Sequence, residues 1–293
     1  MEFFVLVELD VLLVMQIHVA LIISDKKRNT FETNNVFDSL TSDVEYTFLK
    51  RPSDLIVPPD LIISKLSDVD LEWERVLADE WKHIPHATST SAQRVVRDRW
   101  LTFRKLGECT VDVADTILIQ SSEPVPDDLK YPMILKTRIA CGPSGSHLVM
   151  IATTREDVEK YRSDPVIRSV GDSIIAQQFF PHRKFFKLFC FGDKVFVYER
   201  EVMGDMQTGE VFKPAIQSSS VSTNGVGLPE TSELISVAQK VQSVFELNLF
   251  GIDVIQSGSK LIVVDVNYFP TYKELGGAEF RVLLDQFCRT LVR

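Results

Sequence analysis

The spacing of apolar and polar positions divides the chain into three stretches. His18 to Ser24, within IHVALIIS, is a run of branched apolar residues that reads as a buried strand and ends in the polar turn Ser24 to Lys27. A second strand is predicted at Asp60 to Ser64, after Pro58 and Pro59, with Lys65 at its end. Leu71 to Lys82 (LEWERVLADEWK) carries helical spacing and is ended by Pro85. Together these predict an open α/β unit. Thr88 to Gln93 (TSTSAQ) is polar and suits a connection and helix cap ahead of a helix over Arg94 to Leu106.

From Tyr131 the pattern becomes that of strands: YPMILKTRIA, a loop rich in Gly and Ser, then HLVMIAT. Asp172 to Phe180 and Phe185 to Tyr198 add more, the latter folded at Gly192 and Asp193. Leu234, Val237, Val241, Val244 and Phe245 recur at helical spacing, as do Phe280, Leu283, Leu284, Phe287 and Leu291. Between these helices lies the hairpin GIDVI, QSGS, KLIVVDVN. Gly204 to Val226 reads as a long polar loop, and no internal repeat is present.

Length and composition narrow the picture without naming a function. At 293 residues, 45% apolar and 25% charged, the chain has ample length for a sizeable core and is neither disordered nor a coiled coil. Its 41 acidic and 32 basic residues leave a formal charge of −9, which argues against a nucleic-acid partner. A polyanionic ligand would need a local basic pocket. Cys109, Cys141, Cys190 and Cys288 are dispersed and form no CxxC pair, which fits a reducing, cytoplasmic setting. The apolar run Val11 to Ile23 is shorter than a membrane span, follows Glu2, Glu8 and Asp10, and is interrupted by Gln16 and His18, so no membrane insertion is expected.

The chemistry concentrates in a few positions. The chain has no GxxxxGK[ST], no HRD or DFG pair, no GxSxG and no HExxH. If the hairpin turn centres on Ser259, Asp253 and Asp265 fall opposite each other, and Asn267 shares their face. Three oxygen donors on one surface suit magnesium, whereas a solvent-facing sheet edge would explain them equally. Lys136 in MILKTRI and Lys187 in FFKLFCF stand on core-like strands, where an ammonium is costly unless it meets an anion or snorkels from an edge. The loop Gly142 to Ser146 follows the Lys136 strand, so its N–H groups could cover a phosphate tail. These parts together read as an ATP and magnesium site for phosphoryl transfer.

The ordered motifs SDKK (Ser24 to Lys27), SKLSD (Ser64 to Asp68), DR (Asp98, Arg99), KTRIACGPSGSH (Lys136 to His147), QQFFPHRKFFK (Gln177 to Lys187), FGIDVI and VVDVNYFP (within Phe250 to Pro270) resemble those of the inositol 1,3,4-trisphosphate 5/6-kinase (inositol-tetrakisphosphate 1-kinase) family. The resemblance covers about residues 18 to 290. It implies an α/β (α+β) ATP-grasp fold, with an N-terminal open α/β domain over 1–88 and two sheet-rich lobes, 89–178 and 179–293, that clamp ATP. It further implies that Asp253, Asp265 and Asn267 bind magnesium as two ions, and that Arg99, Lys136 and Arg200 hold the ATP phosphates. The backbone of Gln177, Gln178, Phe179 and Phe180 would meet adenine. Lys27, Lys65, His147, Lys187, Asn267 and Thr271 would contact an inositol polyphosphate, with Lys187 also near ATP. Lys136, Lys187 and Asp265 are then the catalytic set, in a protein expected to act as a monomer.

The chain departs from the family at Ser64, where a His is usual, at Cys141, where a His or Asp is common, at Val202, where the family has Ser, and at Thr271, where it has Gly. Two other readings share parts of the site. A carboxylate–amine ligase of the same fold would use the ATP half but would not need Lys27, Lys65 and His147. A catalytically degenerate scaffold would bind ATP or inositol phosphates without turnover, and the four substitutions favour it.

Overall fold

The computed structural model describes residues 16–37, 42–68, 71–141, 144–182, 184–200, 208–212, 221–223, 231–270 and 272–292. Strand β1 (Ile17–Ile22) is the buried first strand that the IHVALI run predicts. Ser24 caps helix α1 (Asp25–Thr33) by accepting from the Lys27 N–H. Strand β2 (Val44–Phe48) follows, so the predicted second strand is in fact the third, β3 (Leu61–Ser64). The order is β2-β1-β3, all parallel. VEYTF is an edge strand of only five residues, Val44, Tyr46 and Phe48 alternating with Glu45 and Thr47, too short a run to stand out in the sequence.

The predicted Leu71–Lys82 helix is α-helical only as α2 (Leu71–Arg75) and continues as a π-turn over Val76–Glu80. The predicted Arg94–Leu106 helix begins earlier and is broken. Helix α3 (Thr90–Arg97) is capped by Ser89, and helix α4 (Arg99–Gly107) by Asp98, which accepts from the Leu101 N–H. Asp98 is extended at φ −96°, ψ 105°, because its backbone bridges to Ile139. The TSTSAQ connection is not wholly solvent-exposed: Gln93 is buried, accepts from the Leu66 N–H and donates to Ser64 and Thr88.

Strands β4 (Thr116–Gln120), β5 (Met133–Thr137), β6 (Val149–Ala152) and β7 (Ser173–Gln178) form an antiparallel sheet in the order β4-β7-β5-β6. Helices α5 (Arg155–Ser163) and α6 (Pro165–Arg168) connect β6 to β7. Strands β8 (Lys184–Phe191), β9 (Lys194–Arg200), β10 (Val221–Thr223), β11 (Leu249–Ser257) and β12 (Lys260–Tyr268) make a second antiparallel sheet, ordered β10-β9-β8-β11-β12. Much of the predicted long loop Gly204–Val226 lies outside the described residues, but Thr208 and Phe212 bridge to Ile151 and Val149.

The core explains how these units are held. Helices α3, α4 and α7 (Thr231–Phe245) lay Val96, Phe103, Leu106, Leu234, Val241 and Phe245 on one face of the five-stranded sheet. Helix α8 (Gly277–Val292) inserts Phe280, Leu284 and Phe287 between the N-terminal sheet and that five-stranded sheet. Aromatic rings seal this seam, with Tyr272 stacked on Phe280 at 4.5 Å between centroids. Each such pair contributes roughly 0.5–1.5 kcal/mol beyond area burial. Among the described residues, no helix is long and apolar enough to cross a membrane.

Candidate active site

The sequence of β11 and β12 places acids within a run of Val and Ile, and the ladder decides which of them meet. The hairpin closes through a two-residue Gly258–Ser259 turn, with Ser257 opposite Lys260 and Val254 opposite Val263. One step further the register shifts, Val264 is bulged out, and Asp253 stands opposite Asp265. The neighbouring pair on this face is Gly251 and Asn267. Gly251 allows a close approach there, since a Cβ would lie 3.0 Å from Pro270 Cγ and 3.2 Å from the Leu188 carbonyl.

Strand β8 extends the row. Lys187 pairs in register with Asp253, and its ammonium lies 2.6 Å from Asp253 Oδ1, a charge contact outside hydrogen-bonding angles. Lys136 reaches the same place from β5 of the other sheet. Its Nζ donates to the carbonyl of the bulged Val264 at 2.7 Å. Burial pushes the Lys136 pKa down to about 8, with the Arg99 charge adding to the fall while Asp265 and Asp253 oppose it. Arg99 Nε lies 3.5 Å from Asp265 Oδ1.

Asp253 Oδ1, Asp265 Oδ1 and Asn267 Oδ1 are all buried, and none receives a hydrogen bond. Asp253 Oδ1 and Asp265 Oδ1 face the Lys187 and Arg99 cations without a hydrogen bond, and Asn267 Oδ1 has no donor, so each oxygen has room for a further partner. Two carboxylates and an amide oxygen form a hard donor set of the kind magnesium takes, so these residues fit that ion.

Other expected residues are placed differently. Arg200 is buried beside this group, and its guanidinium is paired with Glu274 in the turn Lys273–Leu275. Burial lowers its pKa, and the Asp253 charge opposes the fall. Lys27, in the first turn of α1, donates to the carbonyls of Phe269 and Pro270 (3.0 Å to the latter) and lies 4.3 Å from the Phe269 ring centroid. It thus clasps the N-terminal unit to the end of β12. Lys65 is half-buried just beyond β3, and His147 is exposed at the end of the Ser144–His147 turn. Thr271, Val202, Gly142 and Pro143 lie outside the described residues. Ser64 is buried and accepts from Gln93, and Cys141 is buried.

At the expected adenine segment, the N–H groups of Gln178 and Phe179 already donate to the carbonyls of Asp115 and Pro132. His182 Nδ1–H donates to the Phe180 carbonyl at 2.8 Å. The Phe180 N–H enters no hydrogen bond among the described residues. Phe180 and Phe185 pack with Ala114, Ile255 and Ile262 into an apolar layer between the two sheets. Sequence reasoning missed Val264 and Glu274. A bulge leaves no sequence signal here, and Glu274 acts through Arg200, distant in the chain.

Two antiparallel sheets meeting across a lysine–carboxylate group define a protein of the ATP-grasp class. The chain shares that fold with D-alanine–D-alanine ligase from Bacillus anthracis (TM-score 0.69, 12% identity, covering 94% of this chain and 97% of that one). It shares it also with VanG D-Ala:D-Ser ligase from Enterococcus faecalis (TM-score 0.65, 10% identity, 95% and 100%). The family model for the inositol 1,3,4-trisphosphate 5/6-kinase ATP-grasp domain matches residues 110–289, more than half of the chain, and the chain belongs to that family. Similar curated proteins include inositol-tetrakisphosphate 1-kinase 2 from Glycine max, 27% identical over 52% of this chain and 50% of that protein. Inositol-tetrakisphosphate 1-kinase from Xenopus laevis is 27% identical over 50% of this chain and 39% of that protein. The chain therefore aligns with about half the length, or less, of the curated relatives it matches.

Proposed function

We propose that the protein transfers the γ-phosphoryl group of ATP to a free hydroxyl of an inositol tris- or tetrakisphosphate, with magnesium bound. The observation that carries this reading is the row Lys187, Asp253, Asp265 with Asn267 beside it and Lys136 reaching in from the opposing sheet. Two ammonium groups beside three donorless oxygens are a poor structural core but a suitable cradle for a metal and phosphates. The kinase names of the relatives support an inositol phosphate as acceptor.

Asp253, Asp265 and Asn267 would hold magnesium, as two ions, which supplies charge neutralisation and a template for the phosphates when bound. Lys136 and Lys187 offset charge on the transferring group. The acceptor oxygen bonds to the γ-phosphorus as the bond to the β,γ-bridging oxygen breaks; ADP leaves with that electron pair, and the hydroxyl proton passes to solvent. No general base is assigned, because a loose transition state asks chiefly for positioning. Adenine lies against the Phe180 and Phe185 layer and takes its hydrogen bond from the Phe180 N–H. Lys65 and His147 are the proposed contacts to the inositol phosphate, with residues 1–88 as the substrate side and 89–178 and 179–293 as the clamping lobes. The reading includes a monomeric enzyme of the cytoplasm.

The test is the fate of labelled γ-phosphate from magnesium ATP offered with a panel of inositol tris- and tetrakisphosphates. Label in a more highly phosphorylated inositol supports the reading, and label only in inorganic phosphate contradicts it. One observation favours the scaffold reading instead: Lys27 and Arg200, both expected on ligand phosphates, are bound to protein oxygens. ATP binding without any ADP release would establish it.

A further inference from the structure

We infer that Gln93 is a positioning residue for the acceptor side of the site, its carboxamide fixing the corner Ser64–Leu66 from which Lys65 leaves the N-terminal sheet. The inference rests on the proposed contact of Lys65 to the inositol phosphate. The need for such a residue comes from where β3 loses its neighbours. On one side β3 pairs with β1 as far as Ile22 and Ser64, and the Lys65 N–H then donates to the Ile22 carbonyl at 3.0 Å. On the other side a single parallel bridge covers the edge, in which the Ile62 N–H donates to the Pro85 carbonyl and the Ala87 N–H to the Ile62 carbonyl, each at 2.9 Å. The bridge ends at Ala87, and the chain runs on through the Ser89 cap into α3.

The Gln93 side chain, in the first turns of α3, continues the edge where that bridge stops. Its Oε1 accepts from the Leu66 N–H at 2.9 Å. Its Nε2 donates to Ser64 Oγ and to the Thr88 carbonyl, each at 3.0 Å. These partners fix which way the amide faces, because the Leu66 N–H can only donate and the Thr88 carbonyl can only accept. Gln93 is fully buried, and Ser64, Leu66 and Thr88 are nearly so, which keeps water from taking over the bonds. Thr88 is itself bridged to the buried Leu247 just ahead of β11, so the clip is anchored in the main core. Ser64, one of the departures from the family pattern, is thus an acceptor of this clip. Three consecutive residues are held, Ser64 and Leu66 by the amide and Lys65 by Ile22, and the half-buried Lys65 starts from a fixed backbone. A long, flexible ammonium side chain that must meet a phosphate has less freedom to lose when its base does not move.

The experiment is a double-mutant cycle on the full chain, read by calorimetric titration with inositol tris- and tetrakisphosphates and, separately, with magnesium ATP. Gln93→Met keeps the volume and removes the three bonds of the amide. It should weaken inositol phosphate binding by about tenfold when Lys65 is present and by less than about twofold in a Lys65→Ala background, while ATP affinity stays within about twofold. In the ligand-free protein the Leu66 amide should exchange about tenfold faster or more. Equal losses with and without Lys65, an equal loss of ATP affinity, or unchanged exchange at Leu66 would each overturn the inference, since the amide would then serve the fold alone. Ser64→Ala removes a single bond and carries the test if Gln93→Met is too unstable to purify. It should weaken inositol phosphate binding by about threefold with Lys65 present and leave it unchanged without Lys65, and any other pattern would overturn the inference. Wild type that binds ATP but none of the inositol phosphates would overturn the reading of the acceptor and this inference with it. Binding by wild type with additive losses in the cycle would overturn the inference alone.

Discussion

Asp253 and Asp265 stand directly opposite each other across the β11–β12 ladder, and they do so because Val264 is bulged out of it. An unbroken ladder from the Ser257–Lys260 pair would set Asp265 against Ile252, on the face that packs against α7. The same irregularity exposes the Val264 carbonyl that receives Lys136 from the opposing sheet. One extra residue thus both assembles the acidic pair and seats the lysine above it.

Lys136 should cost the ligand-free protein stability. A pKa near 8 in place of the usual 10.5 corresponds to about 3 kcal/mol of unfavourable charge burial at neutral pH. The sign follows from proton counting: the folded state binds fewer protons than the unfolded state between pH 8 and 10.5, so this group makes stability rise with pH across that window. Lys136→Met is expected to raise ligand-free stability by about 1–3 kcal/mol at pH 7, after the lost bond to Val264, and to lack that rise. Chemical denaturation at pH 7 and pH 10 measures both. The same variant should lose stabilisation by ATP.

Glu274 should compete with ligand phosphate for Arg200. Both side chains are nearly buried, at 13% and 8% exposure, so Glu274→Gln leaves an uncompensated cation and should destabilise the ligand-free protein by about 3 kcal/mol. Polyphosphate binding would then neutralise Arg200, so the rise in melting temperature on adding ATP should be larger than in wild type. Thermal unfolding with and without ATP tests this, and an equal rise in both proteins would contradict it.

Gly145 should tolerate no side chain. A Cβ there would lie 2.7 Å from the Val166 carbonyl and 2.8 Å from Val170 Cγ2, so Gly145→Ala must push the Ser144–His147 turn away from α6. A loss of about 1–3 kcal/mol is expected, with weakened nucleotide binding, read by denaturation and by ATP titration.

Much of the architecture was legible because strand and helix periods are strong where one face is buried. The IHVALI strand, the GIDVI–KLIVVDVN hairpin and the two flanking helices lie close to where their spacing puts them. The β2 edge strand and the break at Asp98 were not legible, because one is only five residues long and the other depends on a backbone bridge to Ile139, distant in sequence. At the site, the pairing of Asp253 with Asp265 was anticipated from a turn centred on Ser259. The true turn is a residue shorter, and the Val264 bulge restores the register. The partners of Lys27 and Arg200 were beyond reach, since the Phe269 and Pro270 carbonyls and Glu274 become neighbours only in the folded chain.

The central claim is that the acidic pair holds the magnesium that makes this a phosphoryl-transfer site. It is tested most directly by magnesium-dependent ADP release from wild type and Asp265→Ala, each with ATP alone and with the inositol polyphosphate panel. The account predicts release stimulated by at least one inositol phosphate and lowered by about a thousandfold or more in the variant. Wild-type release in Asp265→Ala would contradict it.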